Sequence, residues 1–190
     1  MSLRHILLGL TREAQSGYDL KKHFENSLKN FWNAELSQIY PLLQKLEKEG
    51  LLTSKKDESE IGPTKRVYKR SAKGGKELRD WLCDGPVVGS ERIGHLAQVY
   101  FLADLGDEDK SIEYMNELRA YSVDRLTTLQ AVEKRWSEQC SGYPDALPDD
   151  QFYAQLTLSI GLRKVRAAVD WCDECIARIQ VRKQQRLKAG

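Results

Sequence analysis

Residues 35–56 read ELSQIYPLLQKLEKEGLLTSKK, and this stretch decides the fold of the first part of the chain. Its apolar residues recur three and four positions apart, which predicts a helix with one buried face over residues 35–49. They are Ile39, Leu42, Leu43 and Leu46. Gly50 supplies the residue after the helix, where a left-handed backbone is common. Residues 51–55 then suit a β-strand, so the stretch predicts a helix that leads directly into a hairpin.

The segments on either side complete the pattern. Residues 66–70 suit the second strand, and residues 57–64, between the two strands, are rich in turn formers. Two helices are predicted upstream, and a fourth begins after Ser71, which is placed to cap it. Their apolar residues are Leu3, Ile6, Leu7, Leu10, Leu20, Phe24 and Leu28 upstream, and Leu78, Trp81 and Leu82 downstream. Three helices, a hairpin and a fourth helix are the order of a winged helix-turn-helix.

A cluster of glycine and proline at residues 83–90 separates this part from a nearly all-helical remainder. We expect a winged-helix domain over residues 1–84, a linker over 85–91 and an all-helical dimerisation domain over 92–190. Helices are predicted at residues 92–104 and 107–139, and a last one follows a break at residues 141–148. The expected fold class is therefore mainly α, with a small β-hairpin wing.

The last helix carries the most regular apolar pattern in the chain. Its apolar residues repeat at alternating intervals of four and three, as on the seam of a coiled coil. They are Leu158, Leu162, Val165, Val169, Cys172, Ile176 and Ile179. Full burial of such a side chain is worth roughly 1.5–3 kcal/mol, so this seam is costly to leave in water. It must pack on residues 107–139 of its own chain, on a second copy of the chain, or on both.

Composition indicates an ordinary globular protein of the cytoplasm. Hydrophobic residues make up 41% of the 190 residues and charged residues 31%, and no apolar run reaches the roughly 18 residues of a membrane span. The first residues lack a signal-peptide cleavage site, and the four cysteines suit a reducing compartment. Residues 1–84 hold 16 basic and 12 acidic side chains, so this part is the candidate for an anionic partner. No membrane partner is expected.

The helix predicted at residues 35–49 has polar residues suited to reading DNA. A recognition helix contacts base edges from its first turns, where this helix presents Ser37, Gln38 and Tyr40. Gln can bond bidentately with adenine, and Ser can donate or accept. Lys45, further along, suits a phosphate. An ordinary solvent-exposed helix would show a similar polar face, and that alternative stays open.

The predicted hairpin is basic along its strands and acidic near its turn. Asp57, Glu58 and Glu60 would repel phosphates, so we favour Lys65 and Arg66 on the second strand as the residues that contact DNA. An extended basic loop can reach the minor groove or the backbone. A charged hairpin surrounded by solvent is again the alternative.

Together these motifs resemble the PadR family of transcriptional regulators, and in particular its AphA-like subgroup with a long helical C-terminal domain. The resemblance is strongest in residues 1–82 and looser beyond them. Its motifs are Gly17-Tyr18-Asp19-Leu20, Phe31-Trp32, Gln38-Ile39-Tyr40-Pro41-Leu42, Leu46-Glu47, Gly50-Leu51, Lys65-Arg66-Val67-Tyr68, Lys73-Gly74, Trp81-Leu82, Leu158-Ser-Ile-Gly161 and Ala168-Val-Asp-Trp171. Lys69-Arg70-Ser71 departs from the usual family pattern, which puts the packing at the end of the wing in question.

The resemblance implies a sequence-specific transcriptional regulator that binds pseudo-palindromic operator DNA as a homodimer. The C-terminal helices and the first helix would interlock the two chains. The family's DNA-facing positions fall on Tyr18, Lys22, Ser37, Gln38, Tyr40, Lys45, Lys65 and Arg66. Whether Tyr18 and Tyr40 belong partly to the core stays open.

The resemblance also implies a possible small aromatic effector. Tyr100, Trp136, Tyr153 and Trp171 could line its pocket, although aromatic residues at helical spacing are more often core residues. No cofactor, metal site or catalytic arrangement is expected, so we do not predict an enzyme. An adaptor that uses the winged helix for protein contacts is the alternative function.

A thiol-based sensor is the other alternative. Cys172 and Cys175 have the spacing of a redox or metal motif, but no second pair accompanies them. A buried core thiol is therefore the simpler interpretation of Cys172.

Overall fold

The computed structural model describes residues 3–28, 31–57, 65–89 and 93–189. The chain divides into two compact units, an N-terminal unit of Met1–Ser90 and a C-terminal unit of Glu91–Gly190. Most of the predicted hairpin turn, residues 58–64, and part of the predicted linker, residues 90–91, lie outside the described residues.

The N-terminal unit has the predicted winged-helix order. It contains α1 (Leu3–Leu10), β1 (Gln15–Ser16), α2 (Gly17–His23) with a π-helical turn at Phe24–Leu28, α3 (Leu36–Lys48), β2 (Leu52–Asp57), β3 (Lys65–Arg70) and α4 (Ala72–Cys83). The strands form an antiparallel sheet in the order β1-β3-β2. The two-residue strand β1 has no apolar alternation, and the sequence analysis missed it.

The end of α3 follows from Gly50. Its backbone is left-handed, with φ of 72°, so it ends the helix. The Gly50 amide donates to the Glu47 carbonyl and the Leu51 amide to the Leu46 carbonyl, both at 2.9 Å, which makes a Schellman motif. Pro41 lies inside α3 and has no amide hydrogen for the Ser37 carbonyl, yet the helix continues through it.

The core of the N-terminal unit joins α1, α2 and α3 to the base of the sheet. The predicted apolar faces supply most of it, and Leu51, Leu52 and Tyr68 add the contribution of the hairpin. The buried hydrophobic residues are Leu7, Leu8, Leu20, Phe24, Ala34, Ile39, Leu43, Leu46, Leu51, Leu52 and Tyr68. Lys69 and Arg70 do not disturb this packing, because Lys69 is exposed and Arg70 donates to the Leu8 carbonyl at 3.1 Å.

All the regular secondary structure described in the C-terminal unit is helical. A short α5 (Gly94–Tyr100) and a 3-10 turn (Leu102–Leu105) replace the single helix predicted at residues 92–104. Two long helices follow, α6 (Glu108–Gln139) and α7 (Asp149–Ala189). Asp107 caps α6 by accepting from the amides of Asp109 and Lys110. No helix among the described residues is long and apolar enough to cross a membrane.

Packing of α7 on α6 buries part of the predicted seam within one chain. Leu158, Leu162 and Cys172 are buried, whereas the other members of the seam are half-buried: Val165, Val169, Ile176 and Ile179. Ion pairs between Arg119 and Asp173 and between Asp109 and Lys183, both at 2.5 Å, show that the two helices run antiparallel. The buried residues of the seam therefore pack on α6 of the same chain. The half-buried residues leave apolar surface that a second copy of the chain could cover.

Candidate nucleic-acid interface

Helix α2 begins with a capping box. The Ser16 hydroxyl accepts from the Asp19 amide at 3.2 Å, and the Asp19 carboxylate accepts from the Ser16 amide at 3.1 Å. Bonds from Ser16 also hold the pKa of the Asp19 carboxyl below its usual value. The same turn exposes Tyr18, and Lys22, one turn further along α2, places its ammonium 4.8 Å from the centre of the Tyr18 ring. Both residues are thus available at the surface.

A prediction follows for Ser16→Ala. Removal of this cap should lower the free energy of unfolding of the N-terminal unit by about 1 kcal/mol. The reason is that the Ser16 hydroxyl would no longer accept from the Asp19 amide or donate to the Asp19 carboxylate. Thermal unfolding should show a shift of on the order of 5 °C. Ser37→Ala, an exposed serine inside α3, serves as the control and should leave the melting temperature unchanged. Equal melting of both variants would contradict the role of the cap.

The first turn of α3 is fixed by its neighbours. The Lys21 ammonium bonds to the Ala34 carbonyl at 3.3 Å and to the Glu35 carboxylate at 2.9 Å, which ties α2 to the start of α3. The bond to the Glu35 carboxylate is the main cause that raises the pKa of Lys21 above its usual value. The Gln38 side-chain oxygen accepts from the Glu35 amide at 3.1 Å. Bidentate pairing of Gln38 with adenine would therefore require this local bond to open.

Tyr40 lies between surface and core. Its side chain is 42% exposed, but its ring lies so close to α2 that a Cβ atom at Gly17 would be 2.4 Å from it. Gly17 is therefore needed for the approach of the two helices. Tyr18, at 54% exposed, is a surface residue. Ser37, Gln38 and Lys45 are exposed on α3 as well.

The two wing residues named from the sequence lie on opposite faces of β3. Side chains alternate along a strand, so Arg66 shares a face with the buried Tyr68, whereas Lys65 points the other way. Arg66 donates through Nη2 to both carboxylate oxygens of Glu47, at 2.8 and 2.7 Å, and through Nε to the Ser54 hydroxyl at 2.7 Å. Ser54 in turn donates to Glu47 at 2.6 Å. We call these three residues the Glu47 cluster.

Sequence reasoning named Glu47 only as part of a family motif, without a role, and missed Ser54. Bonds from Ser54 and then from Arg66 hold the pKa of the Glu47 carboxyl below its usual value, so it is ionised at neutral pH. Its negative charge neutralises Arg66, which remains half exposed. The signal in the sequence was a single acidic residue on the polar side of α3, and spacing alone does not connect it with a strand residue nineteen positions away.

The aromatic residues named as a possible effector pocket are spread along the C-terminal unit. Tyr100 ends α5, whose Gln98 bonds to Tyr114 near the start of α6, whereas Trp136 lies near the end of α6. Tyr114 and Trp136 are about 33 Å apart at 1.5 Å per residue. One chain therefore does not bring Tyr100 and Trp136 together. Tyr100 and Tyr153 are exposed.

A different cavity lies at the other end of the α6–α7 pair from Trp136. It has a volume of about 700 Å³. Its walls combine aliphatic residues such as Leu102, Met115 and Ile179 with Arg178 and Arg182 on α7.

The cysteine pair has the environment of a structural site. Cys172 is fully buried, and burial raises the pKa of both the Cys172 and the Cys175 thiols, which disfavours the reactive thiolate. Within the described residues, no three His, Cys, Asp or Glu side chains are grouped so that they could hold a metal ion.

Two family profiles and two known transcriptional regulators match the sequence of this chain. The sequence profile of the "Transcriptional regulator PadR-like family" matches residues 6–80, and that of the "Virulence activator alpha C-term" matches residues 94–180. The chain is 30% identical to "Probable transcriptional regulator Rv1176c" of Mycobacterium tuberculosis, over 95% of this chain and 98% of that protein. It is 29% identical to "Negative transcriptional regulator PadR" of Bacillus subtilis, over 93% of this chain and 97% of that protein.

Solved structures agree with the sequence matches. The crystal structure of Bacillus subtilis PadR in complex with operator DNA has a TM-score of 0.80 and 28% identity, covering 93% of this chain and 98% of that one. The structure of the same protein in complex with p-coumaric acid has a TM-score of 0.74 and 29% identity, covering 94% and 98%. The fold predicted from the sequence, a winged helix with a helical C-terminal region, is confirmed.

Proposed function

We propose that this chain, which belongs to the PadR family of transcriptional regulators, binds pseudo-palindromic operator DNA as a homodimer. It is a DNA-binding transcriptional regulator, as the sequence predicted. The observation that supports binding to operator DNA is the surface formed by α2, α3 and the wing. There the first turns of α3 are exposed beside Tyr18 and Lys22, with Lys45 further along the helix and Lys65 on β3.

The proposed contacts divide by chemistry. Ser37 and Gln38 would contact base edges, because a recognition helix enters the major groove by its first turns. The basic residues would contact phosphates, which supply affinity more than sequence preference. The full proposed set is Tyr18, Lys22, Ser37, Gln38, Tyr40, Lys45, Lys65 and Arg66.

Two features of the C-terminal unit support a homodimer. Helix α5 has no buried residue, and Leu96, Tyr100 and Phe101 on or next to it are exposed. On α7, Tyr153, Leu156 and Ile160 are exposed at helical spacing, which makes a continuous apolar stripe. A second copy would cover such surfaces, together with the half-buried members of the α7 seam.

A groove in the N-terminal unit supports the same proposal. Ile6 on α1, Trp32 and Trp81 are among the residues that line a cavity of about 490 Å³. The first helix was expected to take part in the dimer, and an apolar groove beside it offers the surface for that contact.

The proposal includes an effector and a location. Because a relative at 29% identity forms a complex with p-coumaric acid, we propose that a small aromatic acid also regulates this chain. A transcriptional regulator of this kind works at the chromosome, so we place it in the cytoplasm. The proposed function requires binding alone and involves no catalytic step.

The test compares two variants on a duplex that the parent chain selects from a randomised library. Lys65→Ala should weaken binding to every sequence and reduce the slope of log affinity against log salt by about one. Gln38→Ala should instead relax the base preference at one position of each half-site, by a factor of about ten. Fluorescence anisotropy at several salt concentrations measures both effects.

The control for this pair is Lys76→Ala, which removes an exposed lysine on α4 that pairs with Asp80. It should bind like the parent. If Lys65→Ala and Gln38→Ala also bind like the parent, the proposed surface is wrong.

A further inference from the structure

Glu47 is an acidic side chain on a helix whose proposed partner is a polyanion. A carboxylate in that position repels phosphates, so electrostatics alone would favour a neutral residue there. Within the chain, Arg66 offsets the charge by contacting both carboxylate oxygens. The pair then carries no net charge, and part of the donor set of Arg66 is already occupied.

The pairing of the strands indicates what the Glu47 cluster holds in place. β1 pairs with β3 only at Val67 and Tyr68, so beyond Val67 the wing continues as β2 and β3 alone. A two-stranded ribbon is marginally stable and twists readily. Counted from the base of the wing toward its tip, Arg66 is the first β3 residue that pairs only with β2. Its guanidinium carbon lies 5.6 Å from the centre of the Tyr68 ring. The cluster therefore joins the base of the ribbon to α3.

We propose that Glu47 is a positioning residue for DNA binding, which acts through Ser54 and Arg66 to hold the wing at a fixed separation from the recognition helix. Because the wing is already oriented before binding, Lys65 and the first turns of α3 can contact the same duplex together. Arg66 belongs to this arrangement, and for this residue the positioning role replaces the phosphate contact proposed above. The inference rests on the proposed function.

The decisive variant is Glu47→Gln, because electrostatics and loss of positioning predict opposite changes in its affinity for DNA. It keeps the shape of the side chain and removes one negative charge, so pure electrostatics predicts tighter binding. Loss of positioning predicts binding about tenfold weaker on the duplex selected by the parent chain. The melting temperature should change little, since the pair with Arg66 is partly exposed and such pairs contribute little stability.

Asp80→Asn is the matched control. It also removes one carboxylate from the N-terminal unit, at an exposed position on α4 outside the Glu47 cluster. It should bind DNA as tightly as the parent or slightly more tightly. A second variant, Ser54→Ala, removes the hydroxyl that joins the other two side chains and leaves both charges in place. Ser54→Ala should also weaken binding to DNA. If Glu47→Gln proves unstable, the affinity of Ser54→Ala tests the inference in its place.

A double-mutant cycle completes the test. Arg66→Ala should weaken binding about as much as Glu47→Gln, and the double variant should bind no more weakly than either single variant. The inference is overturned if Glu47→Gln or a stable Ser54→Ala binds as tightly as the parent or more tightly, or if Arg66→Ala lowers the salt slope by about one. If the parent chain selects no duplex, the proposed function fails, and this inference fails with it.

Discussion

Gly74→Ala is expected to lower the free energy of unfolding of the N-terminal unit by about 3 kcal/mol, because the added methyl group meets fixed backbone. A Cβ atom at Gly74 would be 2.3 Å from the Leu51 carbonyl oxygen. That oxygen already accepts from the Ser71 amide and from the Ser71 hydroxyl, both at 3.0 Å. It therefore cannot move aside at low cost. Thermal unfolding followed by circular dichroism should show a fall of on the order of 15 °C.

The next residue supplies the control. A Cβ atom at Gly75 would meet only the end of the Arg79 side chain at 3.5 Å and that of Arg70 at 3.7 Å, which are ordinary contacts. Alanine is also favoured over glycine inside a helix by about 1 kcal/mol. Gly75→Ala should thus melt at or above the temperature of the parent. Similar melting of the two variants would show that α4 does not approach Leu51 as closely as described.

Replacement of both Leu156 and Ile160 by Lys is expected to convert the proposed dimer into a monomer. The two residues are 49% and 52% exposed within one chain, so lysine is tolerated there in the monomer but would place charges in an apolar interface. A monomer can contact one half-site at a time and loses the gain from two linked contacts. Binding to a palindromic duplex should fall at least about 100-fold. Sedimentation and anisotropy measure the two effects.

The control for this double variant adds the same charge elsewhere on α7. Gln151 and Gln180 are exposed polar residues, and lysine at both positions should preserve the dimer and its affinity for DNA. If the Leu156 and Ile160 variant also stays dimeric with parental affinity, the apolar stripe of α7 does not form the interface.

Local signals in the sequence were sufficient to predict most elements of both units, but not β1 or the division of residues 92–104 into α5 and a 3-10 turn. Helical spacing of leucines and the position of Gly50 gave the extent of α3 to within one residue at each end. Ser71 caps α4 as predicted, since its hydroxyl accepts from the Gly74 amide at 3.1 Å. These features depend on neighbours within a few positions in the chain, which is why the sequence reveals them.

Features that depend on contacts between distant segments were not predictable in the same way. The role of Arg66 depends on Glu47, which lies on another element, and charge patterning showed only that both residues were present. The separation of two proposed pocket residues within one chain has a related cause. Aromatic residues were grouped by type, but Tyr100 and Trp136 lie toward opposite ends of α6 because that helix is continuous over Glu108–Gln139.

The most direct test of the central claim is selection of bound duplexes from a randomised library by the full-length chain, read out by sequencing. A homodimer that presents two copies of α3 and the wing should enrich an inverted repeat whose half-sites lie about one helical turn, or roughly ten base pairs, apart. Recovery of no enriched sequence, or of a single half-site without its inverted copy, would contradict the account.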